Sequence, residues 1–404
     1  MKVAFVFLHP FDGSLGSTVR VRELAVSLHK FGVESFILTP YENSYRLAEG
    51  VNVVSIAGYM KKLGLSRYMY SASKLAYYNR FFVRRLMLNS KIQARFAKSL
   101  ATIIQKIVEE IGVDVVQFEQ DVALSAAVEL KKKTGLPIIV DIHNITGEEL
   151  VAAAVINRGS DEFLRLQAAQ AENLKQVNSV VVVSELMKKY VSETYILPLE
   201  RILVVPPGAR LRTRRLKKVV TPPRIVYSGL VTHREHVDLF VNCMPLVRKR
   251  FKDAEFYITK KGDALKKTET IANRIGVNPR FFWLSNREDF FEFLSSCHVG
   301  VLPSSNDLAR QMGTPVKLFD YLSVGLPVVA NDVGAWTQII RDEGVGIVTG
   351  DDPQSFADAI IELLENQQLR EKYGCNAFSS ITNRYSWDDS ANRLMQLYLL
   401  NKCT

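Results

Sequence analysis

Residues 313–330 read GTPVKLFDYLSVGLPVVA. Thr314 suits an N-cap, and Pro315 suits the first helical position, because its fixed φ fits a helix start and its missing N–H costs nothing there. Leu318 and Leu322 then share one helical face. Gly325 reads as the residue just past the helix, and Pro327 blocks continuation. Residues 327–330 follow as a short strand. The stretch is thus one helix-to-strand unit of an α/β fold. Lys317 and Asp320 stand outside its apolar pattern. A cation at the third helical position opposes the helix dipole by about 0.3–1 kcal/mol. The free N–H groups of a first turn together with Lys317 would, however, make an anion site. Gly313 lets a ligand approach the backbone, and Asp320, one turn on, can accept hydrogen bonds from a ribose diol. A solvated Lys–Asp pair explains the same residues, and both readings stay open on the residues alone.

Short β-branched runs alternate with helical patterns along most of the chain. Strands read at 3–7, 36–38, 113–118, 138–141, 180–183 and 202–205, and again at 224–227, 255–258, 281–284, 299–302, 327–330 and 346–348. Near-continuous apolar strands separated by helices indicate parallel sheets covered on both faces. Between the two series lies PPGARLRTRRLKKVVTPPR (206–224), with proline pairs at both ends and a basic middle. It reads as a linker. The expected domains are residues 1–206, a linker at 207–223, residues 224–384, and a C-terminal helix in 385–404 that packs back toward the first domain. That helix carries Ala391, Leu394, Leu397 and Tyr398 at helical spacing. In doubly wound sheets ligands bind outside the carboxyl ends of the strands, so two such domains facing one another predict a central cleft.

The 404 residues exceed one ordinary core. With 47% hydrophobic and 23% charged residues, the chain is globular. A formal net charge of +10 implies anionic partners. Cys243, Cys297, Cys375 and Cys403 are scattered, without CxxC or histidine at metal-ligand spacing, which reads as a reduced, cytoplasmic protein with no metal. The opening MKVAFVFLHPFDG reads as a first strand, and no apolar run approaches a membrane span.

Three other regions carry candidate chemistry. In VDIHNITGEE (140–149), Asp141 and His143 are two apart at a strand end and point the same way if the strand continues. His143 is a candidate catalytic group and Asp141 its orienting partner. A satisfied structural histidine is the bland reading. Glu148 and Glu149 fall on a following helix. In HPFDGSLGS (9–17), a full GxGxxG is missing, yet Gly16 would let a diphosphate near the backbone, and Asp12 is an acceptor-side candidate. Residues 50–108 contain no Asp or Glu, while Arg67, Lys74, Arg80, Arg84 and Arg85 lie among aromatic residues there. A basic, aromatic, partly amphipathic stretch fits an anionic membrane surface or a lipid-phosphate acceptor. No nucleic-acid-binding motif accompanies it.

The segment Lys317-Leu-Phe-Asp-Tyr-Leu-Ser-Val-Gly-Leu-Pro-Val328 resembles the donor-binding segment of the group 1 glycosyltransferases, a retaining class of GT-B fold in which Lys-x-Phe-Glu-Tyr-Met-Ala-x-Gly-Lys-Pro-Val is common. GSTVRVRELAVSLHKFG (16–32), ILVVPPGA (202–209), IVYSGLVTHREHVDLFV (225–241) and YSWDDSANRLMQLY (385–398) follow in the family's order. The resemblance implies two Rossmann-like domains and transfer of a sugar, with retention, from a nucleoside-diphosphate sugar to a glycan or lipid-linked acceptor. No cofactor beyond the donor is implied. It implies that Asp320 binds the ribose and that Gly16, Gly313, Thr314 and Lys317 line the donor. His143 would lie near the acceptor. Where many members have Gly-Arg followed by Lys for the diphosphate, this chain has Gly229-Leu230, which leaves Arg234 and Lys317 as candidates. Where many have a second Glu touching the sugar, it has Met312. A nucleotide-sugar epimerase and a non-catalytic nucleotide-sugar-binding protein are the competing readings. Work at the cytoplasmic membrane face is the expected setting.

Overall fold

A computed structural model describes residues 1–9, 11, 16–40, 44–62, 90–212 and 221–402. Asp12 and the basic candidates Arg67, Lys74, Arg80, Arg84 and Arg85 lie outside the described residues. The chain divides into two compact units, one of residues 1–206 with 387–404, the other of 207–386.

In the first unit eight strands form one sheet. They are β1 (Lys2–Val6), β2 (Glu34–Thr39), β3 (Tyr45–Ala48), β4 (Val51–Ser55), β5 (Val115–Glu119), β6 (Ile138–Ile142), β7 (Ser179–Val182) and β8 (Ile202–Val204). Their order is β3-β4-β2-β1-β5-β6-β7-β8. The centre is parallel, and Val3, Phe5, Val116, Ile139 and Val180 are fully buried. β3 departs from the all-parallel expectation by pairing antiparallel with β4. Alternate residues of β4 are only half-buried, so the periodicity there is that of an edge, and a short hairpin closes it.

The helix Ser90–Ile111 clarifies part of the basic stretch. Its apolar stripe, including Ala97, Leu100, Ile104 and Ile107, lies in the core. Arg95, Lys98 and Lys106 face solvent. Here the amphipathic pattern serves the core, so this apolar face does not dock on lipid. The helix Trp387–Lys402 packs on Gly16–His29 within the same unit and buries Ala391, Leu394 and Tyr398.

The second unit has six strands in one parallel sheet: β9 (Arg224–Tyr227), β10 (Glu255–Thr259), β11 (Arg280–Phe282), β12 (Val299–Leu302), β13 (Val328–Asn331) and β14 (Gly346–Thr349). The order β11-β10-β9-β12-β13-β14 makes it doubly wound, with winding reversed between β9 and β12. The same reversal falls between β1 and β5 in the first unit. Open α/β sheets bind ligands at such points.

The helix of the 313–330 stretch runs Val316–Ser323. It begins later than the Thr314 cap predicts. A short helix, Leu308–Met312, precedes it, and Pro315 sits at the N-cap in extended backbone with ψ 126°. Pro315 itself takes the extended backbone of the cap, so the helix starts at Val316, one residue later than a Thr314 cap implies. Lys317 therefore stands at the second helical position. Gly325 follows the helix with φ 70°, as its sequence position predicts. Met312 is fully buried. Tyr321 lies flat against β12, where a Cβ on Gly300 would come within 2.8 Å of the ring. The hydroxyl of Tyr321 accepts a hydrogen bond from the Ser228 N–H at 2.7 Å, which fixes the chain as it leaves β9.

Candidate functional site

Beyond β9 the chain reaches Gly229 at φ 145°, a conformation L side chains rarely adopt. Lys317 fills the space a Cβ would occupy. Its ammonium donates to Tyr227 Oη at 3.1 Å, lies 4.8 Å from that ring's centroid, and ion-pairs with Glu235. Arg310 pairs with the same carboxylate. One carboxylate, with its side chain only 12% exposed, thus faces two cations, and the group carries excess positive charge. Burial alone would raise the Glu235 carboxyl, but Lys317 and Arg310 hold it down at about 2. Burial pushes the Lys317 ammonium below its ordinary value, against the pull of Glu235. Arg310 Nε is buried without a hydrogen-bond partner. These groups gather at the β9/β12 reversal: Tyr227 and Glu235 come from β9 and the residues after it, Arg310 from Leu308–Met312 and Lys317 from Val316–Ser323.

The other donor-side candidates are placed differently. Arg234 is held by Asp307 at 2.9 Å, and its carbonyl accepts from Ser305, so its charge is already balanced. Asp320 faces Arg287 at 3.2 Å rather than Lys317. Gly313 ends the short helix Leu308–Met312. Thr314 lies between the two helices. Glu235, Arg310 and Tyr227 escaped the sequence reading. The signal available was Glu235 itself, an acid among basic residues at the start of a helix.

In the first unit Gly16 opens the helix Gly16–His29. At the β1/β5 reversal His143 follows β6, and its Nδ1 lies 3.8 Å from both Glu119 Oε2 and Asp141 Oδ1. Asp141 is fully buried and pairs with Arg20 at 2.9 Å. Arg20 also donates to the carbonyl of Val205 at 3.0 Å. An acceptor-side contact by Asp141 is therefore replaced by an internal one. Burial acts to raise its carboxyl, but Arg20 and His143 leave it below the ordinary value. Glu119 moves the other way, well above that range, through burial and the charge of Asp141. His9 sits nearby, its imidazole lowered to about 4 by burial and by His143. Neither Arg20 nor Glu119 was singled out from the sequence: Arg20 lies beside a second cation, Arg22, and Glu119 at the end of an apolar strand. Cation ligation would draw on the same three side chains, Glu119, Asp141 and His143. Arg20 already supplies the positive charge at Asp141, so the arrangement suits a proton better than a divalent ion.

Asp121 anchors the loop that carries His143. It accepts from the Thr146 N–H at 3.1 Å and from Gln170 at 2.6 Å. Glu148, on the helix Thr146–Ala152, is buried and bound by Tyr190 at 2.7 Å and by Arg158.

Two doubly wound units with charged groups at their winding reversals define a GT-B architecture. The fold is shared with sucrose-phosphate synthase from Thermosynechococcus elongatus, at TM-score 0.78 and 15% identity over 99% of this chain and 98% of that one. It is shared too with S. aureus TarM in complex with UDP, at TM-score 0.68 and 13% identity over 98% and 99%. The profile described as "Glycosyl transferases group 1" matches residues 222–366, and "Glycosyltransferase Family 4" matches 15–212. The chain belongs to the group 1 glycosyltransferase family. An uncharacterized glycosyltransferase of Methanocaldococcus jannaschii is 24% identical over 59% of this chain and 64% of its own length. The phosphatidyl-myo-inositol mannosyltransferase of Mycobacterium tuberculosis is 29% identical over 41% of this chain and 43% of its own. The chain thus matches less than two thirds of the length of these relatives.

Proposed function

We propose that the protein transfers a sugar, with retention, from a nucleoside-diphosphate sugar to a glycan or lipid-linked acceptor in cell-surface polysaccharide or glycolipid synthesis. The observation that carries the donor half is the convergence of Lys317 and Arg310 on Glu235 beside the bare backbone of Gly229. Family membership and the mannosyltransferase relative support the same reading.

In this reading the second unit holds the donor. Its diphosphate takes over the two cations that Glu235 holds in place, with Arg310 Nε as a further donor. Two preset cations in a buried place stabilise the charge that develops as the diphosphate leaves. Lys317 is thus the catalytic group of this unit, and no metal is called for. Gly313 and Thr314 offer backbone near the donor, and Asp320, steadied by Arg287, binds the ribose. Arg234 acts through Asp307 to fix the loop after β12. The first unit takes the acceptor, with His143 at its β1/β5 reversal and Asp12 in the adjoining loop, while Gly16 offers bare backbone to the diphosphate. The cations at Arg67, Lys74, Arg80, Arg84 and Arg85 attract an anionic membrane surface or a lipid-phosphate acceptor.

The test is calorimetric titration with UDP- and GDP-sugars, followed by assay of the tightest binder with lipid-phosphate and sugar acceptors. Binding with transfer, both lost in Lys317→Ala, is the expected result. Binding with donor conversion in the absence of acceptor would indicate an epimerase. Binding without turnover would indicate a non-catalytic protein, and no binding at all would reject the proposal.

A further inference from the structure

Tyr398, on the helix Trp387–Lys402, donates its hydroxyl to Gln117 Oε1 at 2.5 Å. The Gln117 amide donates to Glu119 Oε1 at 2.8 Å. Gln117 and Glu119 are two apart on β5, hence on one face of the strand. Both are buried, as is Tyr398. The other oxygen of Glu119 points at His143 Nδ1, 3.8 Å away. Four groups end there with buried polar atoms that have no hydrogen-bond partner: Glu119 Oε2, Asp141 Oδ1, Arg20 Nη1 and both ring nitrogens of His143. Convergent, unsatisfied atoms in a core are costly unless something joins them.

Charge balance says what joins them. Arg20 cancels Asp141. Glu119 and His143 remain: Glu119 Oε2 has no donor, and His143 Nδ1 is the ring nitrogen that faces it. We propose that Tyr398, Gln117 and Glu119 form a relay that holds the His143 proton on Nδ1 and so leaves Nε2 as the hydrogen-bond acceptor facing the substrate. Glu119, Gln117 and Tyr398 are positioning residues, acting through His143. The inference rests on the reading of His143 as an acceptor-side group.

The relay has a direction. Gln117 must turn its amide nitrogen toward Glu119, because the Tyr398 hydroxyl donates to its oxygen. Glu119 Oε1 is therefore occupied, and only Oε2 is left for the imidazole. A shift that closes 3.8 Å to about 2.9 Å makes the bond. The groups facing His143 are His9 after β1, Arg20 on Gly16–His29, Glu119 on β5 and Asp141 on β6. Each ring nitrogen's role is set by what the other one binds, and Nδ1 faces two carboxylates, those of Glu119 and Asp141.

The experiment is nitrogen-15 NMR of the full-length, histidine-labelled protein, with the His143 signals assigned from His143→Gln. Tyr398→Phe keeps the ring packing and removes only the relay's first hydroxyl; Glu119→Gln keeps shape and removes the acid. Both are compared with the parent in tautomer, in kcat, in the pH profile of kcat, and in donor affinity. The expected result is an Nδ1–H tautomer in the parent and a loss of that preference in both variants. With it, kcat falls by about tenfold or more, the pH profile shifts, and donor affinity is unchanged. A parent tautomer on Nε2, or folded variants with an unaltered tautomer, would overturn the relay. A changed tautomer with unchanged kcat would uphold the relay and reject the acceptor-side role of His143.

Discussion

Gly229 and Lys317 compete for one volume: a Cβ at Gly229 would lie 2.7 Å from the Lys317 ammonium and 2.8 Å from its Cε. The lysine reaches Glu235 only because residue 229 has no side chain. Gly229→Ala is expected to move the flexible Lys317 tip aside and to cost about 1–3 kcal/mol for the φ of 145°. Calorimetry should show nucleotide-sugar binding weakened more than tenfold, with a melting curve still cooperative. Undiminished binding would mean that the lysine is not needed at that point.

Glu235 gives the second unit an acid limb. Its folded value of about 2 lies below the ordinary 4.5. The stability it contributes is therefore complete above about 4.5 and is lost as pH falls toward about 2, roughly 3 kcal/mol in all. Glu235→Gln should flatten this limb and lower stability near neutrality, because Lys317 and Arg310 lose their counter-charge. Urea unfolding at pH 3 and pH 7 measures both effects.

The sign reverses at Glu119. Burial and Asp141 raise its carboxyl, so its favourable contribution is complete below the ordinary carboxylate value and is lost as pH rises through the raised one. Glu119→Gln should gain thermal stability over the parent at pH 8 and gain less at pH 5. An equal effect at both values would show that Glu119 does not titrate in this way.

Asp320 and Lys317 should separate by ligand. Lys317→Ala is expected to weaken both inorganic pyrophosphate and nucleotide-sugar binding. Asp320→Asn should weaken only the nucleotide sugar, by about tenfold for one charge-assisted hydrogen bond. Equal loss for both ligands in Asp320→Asn would instead point to a general disturbance of its pair with Arg287.

Much of the fold was legible because buried parallel strands such as 180–182 and 299–302 are apolar on both faces and leave a continuous run. β3 and β4 were not, since an edge hairpin with half its residues solvated lacks that run. The cap at Thr314 was misread because local preference for Thr-Pro at a helix start gave way to the end of the helix before it. The candidate site was legible where one segment carried it, as with Lys317 in residues 313–330. It was hidden where the partner was remote: Glu235 lies 82 residues from Lys317, and Tyr398 lies 281 from Gln117. Nothing local in the sequence marks such pairs, which arise only from strand order.

The first unit is assembled from two stretches, residues 1–206 and 387–404, with the whole second unit encoded between them. On the ribosome its sheet emerges first, yet the helix that buries Tyr398 and completes the hydrogen bond to Gln117 arrives after every residue of the second unit has been made. Domain-by-domain folding during synthesis therefore runs out of order here. Residues 387–402 are the step that closes the earlier unit, and a released chain ending in the late 380s would carry every residue of the second unit beside an open first one.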